Sequence, residues 1–250
     1  MSKKKLLVII SVFAILLVIS LIYWITSNNQ GSFPDKEELI KEINHIFPEA
    51  NVKVIQDTIA LDEKHVFVPF ISEENKYGVS HWVWKKSEWE LSSVNTSGEP
   101  RSWRIEDGDF STTHLVWNIS PETPIEKLKF YLIKDRTFHI TEGIEYYDPG
   151  VQLEEIFELS DTSYGVIPLP DKWSSILASY TMLETARQPD WFSNSFNIEH
   201  YMYFGWMAYD RSGKVLPPDH SLFGSGFTGG EEEHIEHIRF LDELVIETVD

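Results

Sequence analysis

The chain has 250 residues, of which 42% are apolar and 14% aromatic, and its 40 acidic against 21 basic side chains give a formal charge of −19. This acidity argues against nucleic-acid binding, because that activity draws on Lys and Arg to displace counterions from the phosphate backbone. The absence of Cys excludes disulfides, thiolate catalysis and Cys-ligated zinc. Plain solubility explains the acidic surface, and calcium or a basic partner suits it better than an anionic lipid.

The first thirty residues predict a membrane anchor. Leu6–Ile25 is a run of 20 residues that is apolar except for Ser11 and Ser20, and it follows the cationic head Lys3–Lys5. As an α-helix with a rise of about 1.5 Å per residue, the run is about 30 Å long, which matches the hydrocarbon core of a bilayer. We therefore predict a single-pass transmembrane signal-anchor in residues 1–30, with the N-terminus cytoplasmic and the remaining chain extracytoplasmic.

A cleaved signal peptide opens in the same way, but its apolar region is shorter. Cleavage at the small-residue site Val18–Ser20 would leave the apolar segment Leu21–Ile25 as an exposed N-terminus, so the uncleaved anchor is favoured. The few cytoplasmic residues before the span cannot form a domain, which excludes a self-contained transmembrane receptor. Any inward signal has to pass through another membrane protein.

Residues 31–120 are predicted to form a helix and an antiparallel β-meander. Apolar residues at helical spacing from Leu39 to Phe47 predict a helix over 35–47, which Pro48 ends. From Val52 the apolar period changes to two, which is typical of strands. Four strands are expected at 52–61, 66–70, 78–84 and 89–94, and a further strand at 115–119 after a hairpin turn at Asp107–Gly108.

Pro121 and Pro124 mark the predicted boundary of a second α+β half, 121–250, and a single domain with 31–120 is the alternative. Asp135–Arg136 is expected to turn a strand at 128–132 into a partner strand at 138–140. Further strands are predicted at 151–159, 164–169 and 201–209, with a helix from Pro170–Asp171 to Gln188–Pro189 and a glycine-rich loop at 216–230. The tail from His234 fits either a helix or a strand. Antiparallel meanders with two or three packed helices predict an α+β fold rather than a doubly wound parallel sheet.

Two segments resemble ligand sites but fail the requirements of those sites. Gly224–Gly229 spells the GxGxxG of a dinucleotide fingerprint, which needs a strand that leads into a helix whose N-terminal amides face a pyrophosphate. Here Glu231–Glu233 stands where the phosphate would lie, so a surface loop is favoured. Glu106–Asp109 clusters carboxylates around a glycine, but no Glu closes a calcium-binding loop, so a hairpin turn is favoured.

A divalent metal is the one cofactor hypothesis that the sequence supports. On a helix, His234 and His237 would be neighbours, and two imidazoles together with the Glu233 carboxylate can bind zinc or another transition metal. The HxxH spacing lacks the HExxH arrangement that supplies a catalytic base. A solvated, acid-rich stretch is the competing interpretation, and it is favoured over the metal site.

The chain is rich in Trp, with nine in total, and rings such as Trp82 and Trp84 could present their faces for sugar stacking. Those two share one face of a strand, as core residues do, and large aromatic rings contribute strongly to hydrophobic burial. We therefore expect most of these rings to form core: Trp82, Trp84, Trp89, Trp103, Trp117 and Trp206.

No catalytic constellation is recognisable in the sequence. There is no GxSxG elbow, and no pair of carboxylates is singled out in a chain this acidic. The first functional hypothesis is a non-catalytic binding or accessory module, held at the cell membrane and acting on a membrane-protein or cell-envelope partner. The alternative is a membrane-tethered envelope hydrolase, metal-dependent through His234 and His237. A structural spacer in a membrane complex shares the support of the first hypothesis.

Overall fold

The computed structural model describes residues 31–141, 143–159, 162–187, 202–217, 224–229 and 234–247, together with Phe13, Ile15, Leu17 and Val18. Its helices are α1 (Lys36–Ile46) and α2 (Asp171–Arg187), and its strands are β1 (Val52–Ile55), β2 (Ile59–Ala60), β3 (His65–Ser72), β4 (Tyr77–Lys85), β5 (Glu88–Asn95), β6 (Arg101–Arg104), β7 (Thr113–Asn118), β8 (Lys127–Lys134), β9 (Thr137–Thr141), β10 (Ile144–Asp148), β11 (Val151–Glu158), β12 (Tyr164–Pro168), β13 (Tyr203–Tyr209), β14 (Val215–Leu216), β15 (Gly226–Thr228), β16 (His234–His237) and β17 (Arg239–Phe240). The described strand pairs are antiparallel except for β13 with β17. The predicted α+β class, with antiparallel sheets and two helices, is confirmed.

The predicted membrane anchor falls almost entirely outside the described residues. Phe13, Ile15, Leu17 and Val18 are in helical conformation, and each of these side chains is more than half exposed. Within the part of the chain that the structure describes, no helix is both long enough and apolar enough to cross a membrane. The anchor at residues 1–30 therefore stays a prediction.

The strands form three main sheets. The first sheet has the order β1-β3-β4-β5-β15, with β2 beside β3; the second is β12-β7-β6-β16; the third is β11-β8-β13-β14, with β17 beside β13. A separate two-stranded ribbon, β9-β10, continues the hairpin that β8 and β11 form in the third sheet. We call this ribbon of β9 and β10 the arm.

Helix α1 begins with a capping box and lies on the first sheet. The Asp35 carboxylate accepts hydrogen bonds from the backbone N–H groups of Glu37 and Glu38, and the Glu38 side chain accepts one from the Asp35 N–H. Leu39 and Ile43, one turn apart, are fully buried in a core shared with β3, β4 and β5. The amphipathic helix predicted for this segment is confirmed.

The layers stack in the order α1, first sheet, second sheet, third sheet, with apolar contacts between them. Side chains alternate between the faces of a strand, so the consecutive residues Val116 and Trp117 of β7 face the first and the third sheet respectively. Helix α2 adds Trp173 and Leu177 to the core between the second and third sheets. A smaller cluster covers the far side of the third sheet: Tyr131, Ile133, Met207 and Leu241.

The sheets combine strands from both sides of the predicted boundary at Pro121–Pro124. In the second sheet, β6 and β7 precede the boundary and β12 and β16 follow it, and β15 adds a late segment to the first sheet. The division of residues 31–120 from 121–250 stays a prediction, and these pairings favour its single-domain alternative.

The turn expected at Asp135–Arg136 is wrong. The chain continues from β8 into β9 and reverses only near Gly143, which has a φ of 80°, so that β8 pairs with β11 rather than with β9. Glycine adopts positive φ without steric penalty, whereas Asp135 and Arg136 are not in that region. The hairpin is thus longer than predicted, and its outer part is the arm.

Candidate functional site

The structure separates the two histidines of the predicted metal site. The tail forms the strand β16, and residues three apart on a strand project to opposite faces, so His234 and His237 are not neighbours as they would be on a helix. His234 Nε2 lies 3.2 Å from Asp107 Oδ1, and His237 Nδ1 lies 3.2 Å from Glu99 Oε1. Glu233 lies outside the described residues. Among the residues described, no three His, Asp or Glu side chains are grouped closely enough to hold a metal ion, and the site stays a prediction.

The two segments that were rejected as ligand sites form regular structure. Asp107–Gly108 turns the chain between β6 and β7, with its glycine at a φ of 74°, and a 3-10 turn at Phe110–Thr112 lengthens the connection. Asp109 caps that 3-10 turn by accepting a hydrogen bond from the Ser111 N–H. Gly226–Thr228, expected in a loop, forms the edge strand β15 on β5. β6 and β7 form a hairpin, but residues 105–112 connect them instead of a tight turn at Asp107–Gly108. The glycine-rich loop is in part a strand.

Most of the Trp rings named above belong to the core, as expected. Those buried are Trp82, Trp103, Trp117 and Trp206. Trp84 and Trp89 are half-buried and contact each other at the end of the β4–β5 hairpin, with 5.5 Å between ring centroids. Only this last pair retains exposed ring surface among the six.

A band of polar side chains, which we call the seam, runs through the otherwise apolar interface between the first and second sheets and ends at an exposed residue, His237. It consists of His65 and His81 from the first sheet and Arg101, His114 and His237 from the second. Their cross-strand partners include Phe67, Trp103 and Val116, which belong to the apolar core between the two sheets. Directly paired residues of antiparallel strands share a face, so the seam residues also point into this interface.

His81 is the most enclosed member of the seam. It is fully buried, its ring meets the Trp103 ring edge-on at 4.7 Å between centroids, and neither ring nitrogen has a hydrogen-bond partner among the described residues. The register between β4 and β5 shifts after His81, which leaves Ser92 as the extra residue of a β-bulge. The buried Ser92 hydroxyl also lacks a partner within the described residues.

Burial favours the neutral form of two seam imidazoles, those of His81 and His114. Burial, together with the positive charge of Arg101, lowers the pKa of His81 to about 3. A backbone group at Ser93, which lies outside hydrogen-bond geometry, opposes this shift only in part. Burial also lowers the pKa of His114. Burial lowers the pKa of Arg101 as well, and its guanidinium is compensated by Glu99, whose Oε1 accepts a hydrogen bond from Nη2 at 3.3 Å.

Asp62 and His65 provide part of a hydrolase geometry. His65 Nδ1 lies 2.9 Å from Asp62 Oδ1 and 3.0 Å from Oδ2. Burial alone would raise the pKa of Asp62, but hydrogen bonds from Lys64 and His65 outweigh this effect and lower the pKa. A Ser–His–Asp triad also needs a hydroxyl on the other ring nitrogen, and within the described residues no hydroxyl is hydrogen-bonded to His65. The pair supplies an oriented imidazole without a nucleophile.

The arm leaves the third sheet at a firmly held root. Lys134, the last residue of β8, has a side chain that is 6% exposed, and its Nζ lies 2.6 Å from Asp148 Oδ2. The same ammonium donates to the Pro149 carbonyl at 3.1 Å and lies 5.4 Å from the centre of the Tyr180 ring on α2. The root therefore joins β8, β10 and α2.

Beyond the root, the arm presents large apolar side chains to solvent. Phe138, Ile140 and Tyr147 are 60%, 60% and 64% exposed, and Ile144 is 57% exposed. None of these four residues belongs to an apolar core of the described structure. Exposed apolar patches on the surface of a soluble protein mark interaction sites. The arm is therefore the candidate interaction surface.

Sequence reasoning missed both the arm and the enclosure of His81. The signal for the arm was Gly143, because a glycine between two segments of strand character favours a turn. For His81 the sequence carried no distinguishing signal, because the alternation of β4 assigns a face without telling whether that face is covered.

Comparison with known proteins gives no relative for this chain. No protein-family model matches it, and neither a curated protein nor a solved structure matches significantly.

Proposed function

We propose that this protein is a membrane-anchored, non-catalytic accessory module whose extracytoplasmic body binds another membrane or envelope protein through the arm. The observation that carries the proposal is the exposure of Phe138, Ile140 and Tyr147 on a ribbon that stands outside the apolar cores. A partner that removes such surface from water gains roughly 25 cal/mol for each Å² of apolar area buried. The arm is thus suited to protein association.

The N-terminal segment supports the membrane location. Phe13, Ile15, Leu17 and Val18 are helical and between 55% and 66% exposed, so they pack little against the rest of the protein. A bilayer would cover such side chains, and the apolar run around them has the length of a membrane span. The lysines that precede the run support a cytoplasmic N-terminus.

The seam supports a non-catalytic role. His81 is enclosed between two sheets and is neutral, so it has no access to a substrate. The Asp62–His65 pair lacks a nucleophile within the described residues, and His234 and His237 each contact a different carboxylate. An envelope hydrolase is the alternative, and its distinguishing observable is turnover.

Crosslinking in intact cells followed by copurification tests the proposal. The full-length protein is compared with a Phe138→Ser/Tyr147→Ser variant and with Leu244→Ser, a matched control whose Leu244 is 93% exposed but lies outside the arm. We expect a stoichiometric membrane partner with the unchanged protein and the control, and at least a tenfold lower yield with the arm variant, as for loss of aromatic anchors in an interface. Circular dichroism checks that all three proteins are equally folded.

Two results would refute the proposal. One is equal recovery of the partner by the arm variant and the control. The other is repeated turnover of a cell-surface glycan or peptide by the purified full-length protein, which would favour the hydrolase alternative.

A further inference from the structure

The pairing of the arm collects four side chains on one side, which we call the front face. Phe138 pairs with Tyr147, and Ile140 pairs with Glu145. Directly paired residues of an antiparallel ribbon project to the same side, and residues two apart on a strand do so as well. The front face is therefore a two-by-two patch of three apolar groups and one carboxylate.

Glu145 differs from the other charged groups near the arm. It is exposed and has no ion pair within the described residues. Two ion pairs match charges at the root: Asp148 with Lys134, and Arg136 with Glu247. Among the described residues of β9 and β10, Glu145 is the charge that is left for an external group.

A carboxylate inside an apolar contact surface restricts what can cover that surface. When the three apolar side chains are removed from water, Glu145 loses hydration with them, and an unpaired buried charge is strongly unfavourable. A guanidinium or ammonium on the partner removes this penalty and adds charge-assisted hydrogen bonds. The front face therefore selects a partner that combines an apolar groove with a basic group.

Two other occupants fit the front face poorly. A second copy of this chain carries the same charge of −19 and would bring another acidic surface toward Glu145. A lipid surface would require the carboxylate to approach the hydrocarbon region, and anionic headgroups would repel the acidic body. Charge complementarity thus favours a basic protein surface over both.

On this basis, and resting on the proposed function, we propose that the front face docks into an apolar groove of a partner protein that places Lys or Arg against Glu145. The apolar groups supply the affinity. The ion pair sets the register of the arm in the groove and disfavours acidic competitors, because complementary charge contributes mainly to specificity and association rate.

A photocrosslinking experiment identifies the occupant directly. Tyr147 is replaced by p-benzoylphenylalanine in the full-length protein, cells are irradiated, and the crosslinked peptides are sequenced by mass spectrometry. We expect adducts to an apolar segment of another protein that contains or adjoins Lys or Arg. Adducts confined to a second copy of this chain, to lipid, or to a protein segment without basic residues would overturn the inference.

Charge reversal tests the ion pair. Glu145→Lys is expected to lower the crosslink yield at least tenfold and Glu145→Gln about threefold, whereas Glu155→Lys, the same change at an exposed position of β11, leaves the yield unchanged. Changing the crosslinked basic residue of the partner to Glu restores the yield of Glu145→Lys. Equal yields for Glu145→Lys and Glu155→Lys would overturn the inference.

The outcomes separate this inference from the function on which it rests. If no protein is captured by the Tyr147 probe, and the Phe138→Ser/Tyr147→Ser variant still copurifies the partner, the proposed function fails together with the inference. If a protein is captured but the crosslink yield does not change with the charge at position 145, only the inference fails.

Discussion

Acidification is expected to destabilise this protein mainly through His81. In the unfolded chain the imidazole has its ordinary pKa of 6.5, whereas in the folded protein burial lowers the pKa to about 3. Between these two values the unfolded state binds a proton that the folded state does not bind, so the free energy of unfolding falls as the pH falls. The stability is therefore complete above pH 6.5 and decreases continuously toward pH 3.

The size of the effect follows from the two pKa values. Each pH unit between these pKa values removes about 1.4 kcal/mol from the free energy of unfolding. His81 alone therefore lowers that free energy by about 2 kcal/mol between pH 7.5 and pH 5. The pKa of His114, also lowered by burial, adds a loss of the same sign. Carboxylates with a lowered pKa, such as Asp62, lose their contribution only below about pH 4, so the interval from pH 7.5 to 5 reports on the histidines.

Urea unfolding of the full-length protein in detergent, followed by Trp fluorescence at pH 7.5 and pH 5, measures this loss. His81→Gln keeps a neutral polar side chain but cannot titrate, so we expect its loss of stability between the two pH values to be smaller by about 2 kcal/mol. His45→Gln is the control, because His45 is exposed on α1 and the variant should retain the full loss. Equal losses in the unchanged protein and His81→Gln would refute the argument that a buried neutral imidazole causes the acid sensitivity.

Three further predictions concern other parts of the structure. Gly98→Ala should lower the free energy of unfolding by about 3 kcal/mol or more, because a Cβ there would lie 1.5 Å from the Asn118 carbonyl oxygen. Thermal unfolding measures this loss, and Gly108→Ala is the control. A Cβ on Gly108 meets nothing within 4 Å, and its positive φ costs only about 1 kcal/mol. Asn118→Leu should lower the free energy of unfolding by about 3 kcal/mol, because the buried Asn118 amide donates hydrogen bonds to carbonyl groups of β3 and β4. A loss below about 1 kcal/mol in the same assay would contradict this role. The metal hypothesis predicts one-to-one zinc binding by calorimetry that His234→Ala/His237→Ala abolishes, and absent or unchanged binding would remove it.

Helix α1 could be predicted from the sequence because its determinants are local. Asp35 and Glu38 stand three residues apart as a capping box, and Leu39 and Ile43 lie one turn apart on the buried face. Each of these signals is complete within a few residues of chain. The helix could therefore be predicted without knowledge of any distant contact.

The arm could not be predicted in the same way, because strand pairing depends on distant partners. The alternation of apolar and polar residues correctly predicts β8 and β9 as strands. It is, however, as compatible with pairing of β8 to β9 as with pairing of β8 to β11. The choice of β11 as the partner of β8 is decided by the third sheet, in which β13 pairs with the other edge of β8. The local signal was the turn at Gly143, which moves the reversal eight residues beyond Asp135.

The enclosure of His81 also depends on distant contacts. The period of two in β4 places Val79, His81 and Val83 on one face and Ser80 and Trp82 on the other. In a sheet with one solvent-exposed face, either His81 or Ser80 would be exposed. Here α1 covers one face and the second sheet covers the other, so polar residues are buried on both.

The arm can act as a binding surface only if its two strands remain paired before a partner arrives. A free two-stranded ribbon is marginal in water, but this one continues the β8–β11 ladder, and the Lys134 ammonium at the end of β8 contacts both β10 and α2. Such preorganisation reduces the conformational entropy that binding must remove. The front face is nevertheless small, since it offers three apolar side chains, and small interfaces are weak. The proposed anchor compensates for this, because confinement of both proteins to one membrane raises their effective concentration. The proposed function therefore needs the anchor and the arm together, and the body released from its anchor should bind the same partner far more weakly.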